Sequence, residues 1–450
     1  STNQVQAFWD GYDEISGIDF FEYSLGSSPG TSNISDWQSS GETSETLTAL
    51  NLAPGQKYYL SVRSRDNAGN ISDIVSSDGF TIDLSPPVGT SVNDGPGSDI
   101  SFSSSDTSIS GNWVPFTDAE TQIKKYEISI GTQSGATNTM NWTDNDTSTY
   151  FTKSNLDLTH GSSYFVNVRA TDEAGNLSNV VSSDGLTIDT EGPENNFLFE
   201  GLSGDDLDWT NSTEIISAYW SFYDLLSGIP SISAYQYSIG NTPGGNQIAD
   251  WTPVLRDTFF TLETQPLVSG TTYYTSVRAR DNLGNWSDPT VSDGITVDII
   301  VPTVGVPLDG SLQADQDWQS STDSIHIYWI ANDTRNRQMD YFEYAVSTTP
   351  GDSDIVAWTN SGGNSYAVIS GLSLSEGTTY YGRVRAYDSA GNRSTEVNTN
   401  GITIDSAAPV SGEVIDGQEE DIDFTPSSTE LVAEWSGFSD GLSGVSYYEV

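Results

Sequence analysis

The chain has 450 residues, with 63 Asp and Glu against 15 Lys and Arg, a formal net charge of −48 and no cysteine. That charge repels nucleic acid and anionic membrane surfaces, and the missing thiols exclude disulfides, thiolate metal sites and cysteine nucleophiles. One core does not serve a chain this long, whereas 12 Trp, 22 Tyr and 16 Phe furnish several. The acidity itself has two readings: a soluble surface that salt screens within about 8 Å, or carboxylates gathered to hold cations.

No run of about 18 apolar residues exists, so no membrane-inserting helix is expected. Gln4–Trp9 already reads as a strand from the middle of a module, and Tyr447–Val450 stops inside another. A segment of something longer, without a secretion signal of its own, is the expectation.

The module shows in full from about Leu84. Pro86-Pro87 suits a boundary and a first edge strand, since proline fixes φ and withholds a donor. Asp94-Gly95 turns the chain, and Asp106–Trp113 alternates polar and apolar residues toward a Trp. That Trp recurs as Trp9, Trp220, Trp329 and Trp435 and reads as a core anchor. After a loop carrying Asp118 comes the alternating strand Tyr126–Gly131, with equivalents at Phe21–Gly26, Tyr235–Gly240 and Phe342–Ser347. A second Trp follows at Trp37, Trp142, Trp251 and Trp358, in shorter, more polar surroundings that fit core packing or a sugar platform.

Next, Leu158-x-x-Gly161-x-x-Tyr164 repeats as Leu52/Gly55/Tyr58, Leu267/Gly270/Tyr273 and Leu374/Gly377/Tyr380. A Tyr three residues after a turn Gly, just inside a strand, is placed to return its hydroxyl to the turn backbone, the tyrosine corner of Greek-key sandwiches. The following strand and turn are the clearest repeat: Val62–Asn70, Val168–Asn176, Val277–Asn285 and Val384–Asn392, with Asp66, Asp172, Asp281 and Asp388 spaced by 106, 109 and 107 residues. Arg63, Arg169, Arg278 and Arg385 point away from the core and are expected to meet carboxylates across the sheet. The Asp, Gly and Asn of the turn suit tight backbone geometry. A last strand, Asp184–Asp189, closes the module, and prolines at Pro193, Pro302 and Pro409 open the next ones through short linkers.

These features predict an all-β chain of tandem seven-stranded Greek-key sandwiches arranged end to end as a rod. The expected divisions are a partial module at 1–83 lacking its first strand, complete modules at 84–189, 190–298 and 299–405, and a truncated one at 406–450. The repeat resembles the fibronectin type III and related immunoglobulin-like modules of bacterial extracellular proteins, carried by Trp220, Tyr235–Gly240, Leu267-x-x-Gly-x-x-Tyr273, Val277–Asn285 and Asp293–Asp298. The resemblance implies a spacer or adhesive role on the cell surface, with no catalytic residues to transfer. No Arg-Gly-Asp tripeptide occurs.

The residues agree in pointing away from an enzyme. His160 and His326 are the only histidines and occupy non-equivalent positions, so no repeated triad or zinc site can be built. Calcium is the chemistry the composition favours, with candidate ligands in the turn residues Asp172, Asp281 and Asp388 and the last-strand residues Asp189, Asp298 and Asp405. The downstream pairs Asp206 with Asp208, Asp315 with Asp317 and Asp421 with Asp423 complete the candidates. The expected grouping joins Asp281, Asp298, Asp315 and Asp317 at one module junction. Asn-x-Ser/Thr occurs at Asn33, Asn70, Asn141, Asn145, Asn176, Asn211, Asn285, Asn332 and Asn392, a weak glycosylation signal next to the turn role of four of them. The segment 332–337 departs from the Asp-x-x-Ser-Gly of other modules and is a candidate lateral contact. Expected partners are neighbouring or laterally assembled copies of the modules, and glycans or surface proteins if the second Trp is an open platform.

Overall fold

A computed structural model describes residues 3–202, 204–255, 257–264, 266–310, 314–334 and 339–450. Among them every regular element is a strand, and no helix is long and apolar enough to cross a membrane. Two compact units emerge: Ser1–Pro193 with Asp224–Pro230 and Arg280–Ser287, and Glu194–Tyr223 with Ser231–Ala279 and Asp288–Val450.

In the first unit, residues 84–189 display the whole repeat as β1 (Val92–Asp94), β2 (Phe102–Ser103), β3 (Ile109–Trp113), β4 (Ile123–Gly131), β5 (Met140–Asp144), β6 (Tyr150–Lys153), β7 (Ser163–Asp172), β8 (Val181–Ser182) and β9 (Leu186–Ile188). One sheet runs β6-β3-β1; the other runs β5-β4-β7-β9-β2, with β8 also on β7. Seven strands of the expected plan are therefore present, with two refinements. The last strand is broken into β8 and β9 ahead of Gly185, whose φ of 99° only glycine adopts readily. The short β2 lies parallel to β9, Phe102 opposite Thr187.

Period-2 patterning explains the core between the sheets. Ile109 and Trp113 from β3, Tyr126, Ile128 and Ile130 from β4, and Tyr164, Val166, Val168 and Ala170 from β7 all point inward and are buried together. Trp113 meets Tyr126 edge-on at 5.3 Å. Each tyrosine corner forms as expected, the hydroxyls of Tyr58, Tyr164, Tyr273 and Tyr380 accepting the N–H of Ala53, Thr159, Val268 and Ser375 at 2.8, 3.0, 2.9 and 2.9 Å. Tyr164→Phe leaves the Thr159 N–H without that acceptor and is expected to cost about 1–2 kcal/mol. Calorimetry of the intact chain checks this; an unchanged transition would show that the corner is not used.

The second unit repeats the plan twice. Glu194–Glu200, Ile215–Tyr223 and Phe259–Glu263 form one three-stranded sheet, and Leu308–Asp309, Ser324–Tyr328 and Tyr366–Ser370 another; each is accompanied by a six-stranded sheet. Trp220 and Trp329 are buried like Trp113, whereas Trp9 is half-buried on Tyr23 and Trp435 is exposed. The anchor role thus holds in the three modules whose two sheets are complete.

Ser163 and Tyr164, which begin β7, pair with Thr187 and Leu186 at β9. The last strand therefore ends where the Val-Arg strand begins, so Asp172 and Asp189 lie at opposite ends of their sandwich.

Candidate metal centres

At the end of each Val-Arg strand the aspartate organises its own turn. Asp281 Oδ1 accepts the N–H groups of Leu283, Gly284 and Asn285 at 2.9, 2.6 and 2.7 Å, while Oδ2 accepts the Asn285 amide at 2.6 Å. Asp172 and Asp388 hold Asn176 and Asn392 in the same two ways. The Asn amide then reaches further. Nδ2 of Asn176, Asn285 and Asn392 donates to the backbone carbonyls of Asp83, Asp189 and Asp298 at 3.3, 3.0 and 2.8 Å, and each of these ends the last strand of the preceding repeat.

Three carboxylates gather around each of these contacts: Asp83, Asp118 and Asp172; Asp189, Asp224 and Asp281; Asp298, Asp333 and Asp388. Each trio places three carboxylate oxygens within 4.8 Å of one another, and most of the residues are buried. At an effective dielectric constant near 20, each like-charged pair at that separation repels by roughly 3 kcal/mol. Hydrogen bonds counter part of this. Asp118 Oδ1 accepts the N–H of Glu120 and Thr121 at 2.9 Å each, and the Thr121 bond is foremost in holding its carboxyl below the usual range. Ser227 N–H donates to Asp189 Oδ2 at 3.0 Å and its hydroxyl to Asp281 Oδ2 at 3.1 Å. Half-versions stand at the chain's margins: Asp13 and Asp66 near Ser16, and Asp405, whose carboxyl the Ser443 contact foremost holds low. A closely set group of ionised carboxylates is a donor set for a hard divalent cation such as calcium.

The grouping differs from the one expected. Asp281 and Asp298 sit in separate trios because adjacent antiparallel strands carry them to opposite ends of one sandwich; each meets a residue of the neighbouring repeat instead. Asp206 joins Glu200 and Asp293, while the Asp208 carbonyl accepts the Thr296 N–H at 2.8 Å. Asp315 accepts the N–H of Asp309 at 3.3 Å, the Asp317 carbonyl accepts the Thr403 N–H at 2.8 Å, Asp421 accepts the N–H of Asp416 at 3.0 Å, and Asp423 is exposed. The loop residues Asp118, Asp224 and Asp333 carry no sequence signal of this role, because a loop Asp, as in the Asp-x-x-Ser-Gly of Asp224–Gly228, looks like turn chemistry alone. Asp333 shows that the departure at 332–337 keeps the carboxylate of the trio; Arg335–Arg337 lie outside the described residues.

The second Trp of each module is neither core nor open platform. Its ring lies half-buried beneath an arginine of the Val-Arg strand: Arg63 over Trp37 at 4.6 Å, Arg169 over Trp142 at 4.3 Å, Arg278 over Trp251 at 4.5 Å and Arg385 over Trp358 at 4.1 Å. The same guanidiniums meet Glu22, Glu127 and Glu343 across the sheet, with Gln236 replacing the carboxylate beside Arg278. His160 Nδ1 accepts the Thr190 N–H at 3.2 Å, a structural contact.

Sheet order, tyrosine corners and buried tryptophans together define a tandem array of β-sandwich modules of the immunoglobulin-like and fibronectin type III-like kind. Residues 256–402 match the family model described as bacterial Ig-like domain (group 3). Exoglucanase B of Cellulomonas fimi is 30% identical over 154 residues, which is 34% of this chain and 13% of that protein. The solved FN1–FN3 domains of chicken CNTN1 align over 71% of this chain and 99% of theirs, at 16% identity and a TM-score of 0.32.

Proposed function

We propose that this chain is a structural spacer within a large secreted or cell-surface protein, such as an adhesin stalk or extracellular filament, and that calcium at the three-carboxylate junctions fixes each module on the next. One observation carries the reading: aspartates from two successive repeats converge three times over, each time beside an Asn amide that crosses to the preceding repeat. Bound calcium would cancel the repulsion that the trio accumulates and so couple junction geometry to the ion. The match to a bacterial Ig-like family model supports the extracellular setting. Arginines lying on the second tryptophans leave little ring face for sugar stacking, which favours a spacer over a glycan-binding array.

The exoglucanase relative favours a second reading, in which the same modules form an accessory region of a secreted polysaccharide-degrading enzyme. A glycan array probed with the whole chain separates the two, since the spacer is expected to bind nothing on it.

The calcium reading has a direct test. Saturation at about 100 times Kd adds about 2.7 kcal/mol per site to the module concerned, so the calorimetric transitions are expected to rise by several degrees from chelator to millimolar calcium. Transitions unmoved by both additions would overturn it.

A further inference from the structure

We infer that the repeats carry a second divalent-cation site, separate from the junctions, in which Glu200, Asp206 and Asp293 hold one ion and Asp94, Asp99 and Asp184 another. Glu200 ends the strand Glu194–Glu200, is 0% exposed, and neither of its carboxylate oxygens has a hydrogen-bond partner among the described residues. A buried carboxylate left that way is costly unless a cation or a proton meets it. Burial pushes its pKa up to about 7; the nearby Ser292 hydroxyl eases that penalty without reaching hydrogen-bond geometry, and Asp206 and Asp293 add repulsion. The three carboxylates nevertheless converge within 4.8 Å.

The surroundings show how they are brought together. Asp206 Oδ1 accepts the Glu200 N–H at 2.8 Å, folding the loop back over the strand end. Asp293 arrives from the break in the last strand, immediately before Gly294 with its φ of 98°. The arrangement recurs independently in the other unit. Asp99 Oδ1 accepts the Asp94 N–H at 2.9 Å, Asp184 precedes Gly185, and the Gly185 N–H donates to Asp94 Oδ2 at 3.0 Å. Asp94 is 0% exposed and its Oδ1 lacks a partner among the described residues. Both sites join the first strand of one sheet to the broken last strand of the other, so an ion there clasps the two sheets of one sandwich.

The donors are all carboxylate oxygens, which select a hard cation; carbonyls and water would complete the six to eight ligands of calcium. Module 299–405 supplies an internal contrast. Asp309 and Asp315 repeat the pattern, but Asn400 stands where the other repeats have Asp, and its amide donates to Asp315 Oδ2 at 3.0 Å. With one carboxylate fewer and an amide donor in its place, this copy is expected to bind more weakly.

Calcium alone, titrated calorimetrically into the whole chain, tests the inference. Glu200→Gln and Asp293→Asn are each expected to bind one ion fewer than the parent, whereas Asp224→Asn at a junction keeps that ion. If Glu200→Gln and Asp293→Asn both bind as many ions as the parent, the inference fails and the carboxyl is simply protonated. A loss confined to Asp224→Asn would leave the junction reading standing and this one overturned, and a loss confined to the other two variants would do the reverse. Folding of the variant has its own readout. Because burial raises the folded-state pKa of Glu200 from its ordinary 4.5 to about 7, its burial costs nothing at low pH and destabilises the calcium-free chain progressively between those two values, most of the loss falling above pH 5. In chelator, Glu200→Gln is therefore expected to melt above the parent at pH 8 and alongside it at pH 5.

Discussion

Trp220→Ala is expected to lower the stability of its module by about 3–5 kcal/mol, the range for emptying a large buried aromatic site. Trp220 is 1% exposed, stands edge-on to Tyr235 at 5.7 Å and packs against Phe260 at 6.2 Å, so the substitution opens a cavity against both sheets and removes two ring contacts. Its indole N–H has no hydrogen-bond partner among the described residues. Trp220→Phe therefore loses volume without stranding an acceptor and is expected to cost less, about 1–3 kcal/mol. Since 1 kcal/mol moves a domain of 60–100 residues by about 4–8 °C, the alanine variant should draw one calorimetric transition down by more than about 10 °C. A shift below a few degrees would mean that the tryptophan does not anchor this core.

Asp388→Ala should rank next, and its cost should depend on calcium. The carboxylate is 1% exposed; Oδ1 accepts the N–H groups of Ala390 and Asn392 at 3.0 and 2.8 Å, and Oδ2 accepts the Asn392 amide at 2.9 Å. Bonds to a charged group contribute roughly 1.5–3 kcal/mol each, but deleting the charge also relieves repulsion from Asp298 and Asp333. In saturating calcium, where the ion already cancels that repulsion, the loss is expected to reach about 3–5 kcal/mol; in chelator the relief of roughly 3 kcal/mol from each of the two neighbouring carboxylates is expected to offset most or all of it. Equal losses in the two conditions would confine Asp388 to its turn and remove it from any metal site.

Much of the fold was legible because it rests on local pattern. Alternation marked the strands, the Leu-x-x-Gly-x-x-Tyr frame marked the tyrosine corners, and the spacing of Asp66, Asp172, Asp281 and Asp388 marked the repeat. The partnering of carboxylates was not legible to the same degree, because it depends on the direction in which strands run. Asp281 and Asp298 are neighbours in sequence and sit at opposite ends of a sandwich, while Asp189 and Asp281 lie 92 residues apart and meet. Glu200 and Asp94 were invisible for another reason: an acidic residue at a strand end normally faces water, and only the folded loop reveals that these are enclosed. The second tryptophans were misjudged because period-2 reasoning assigns a face to a side chain and does not show that an arginine on the adjoining strand lies across its ring.

The Asn amide that crosses from each turn to the preceding repeat makes neighbouring modules thermodynamically unequal to isolated ones. A module cut out of the array loses the carbonyl and the carboxylate that its predecessor contributed, so half of its clasp has nothing to grip. Stability then resembles a one-dimensional chain with nearest-neighbour coupling: interior modules gain from both sides, the terminal ones gain from one, and lengthening the array strengthens members already present.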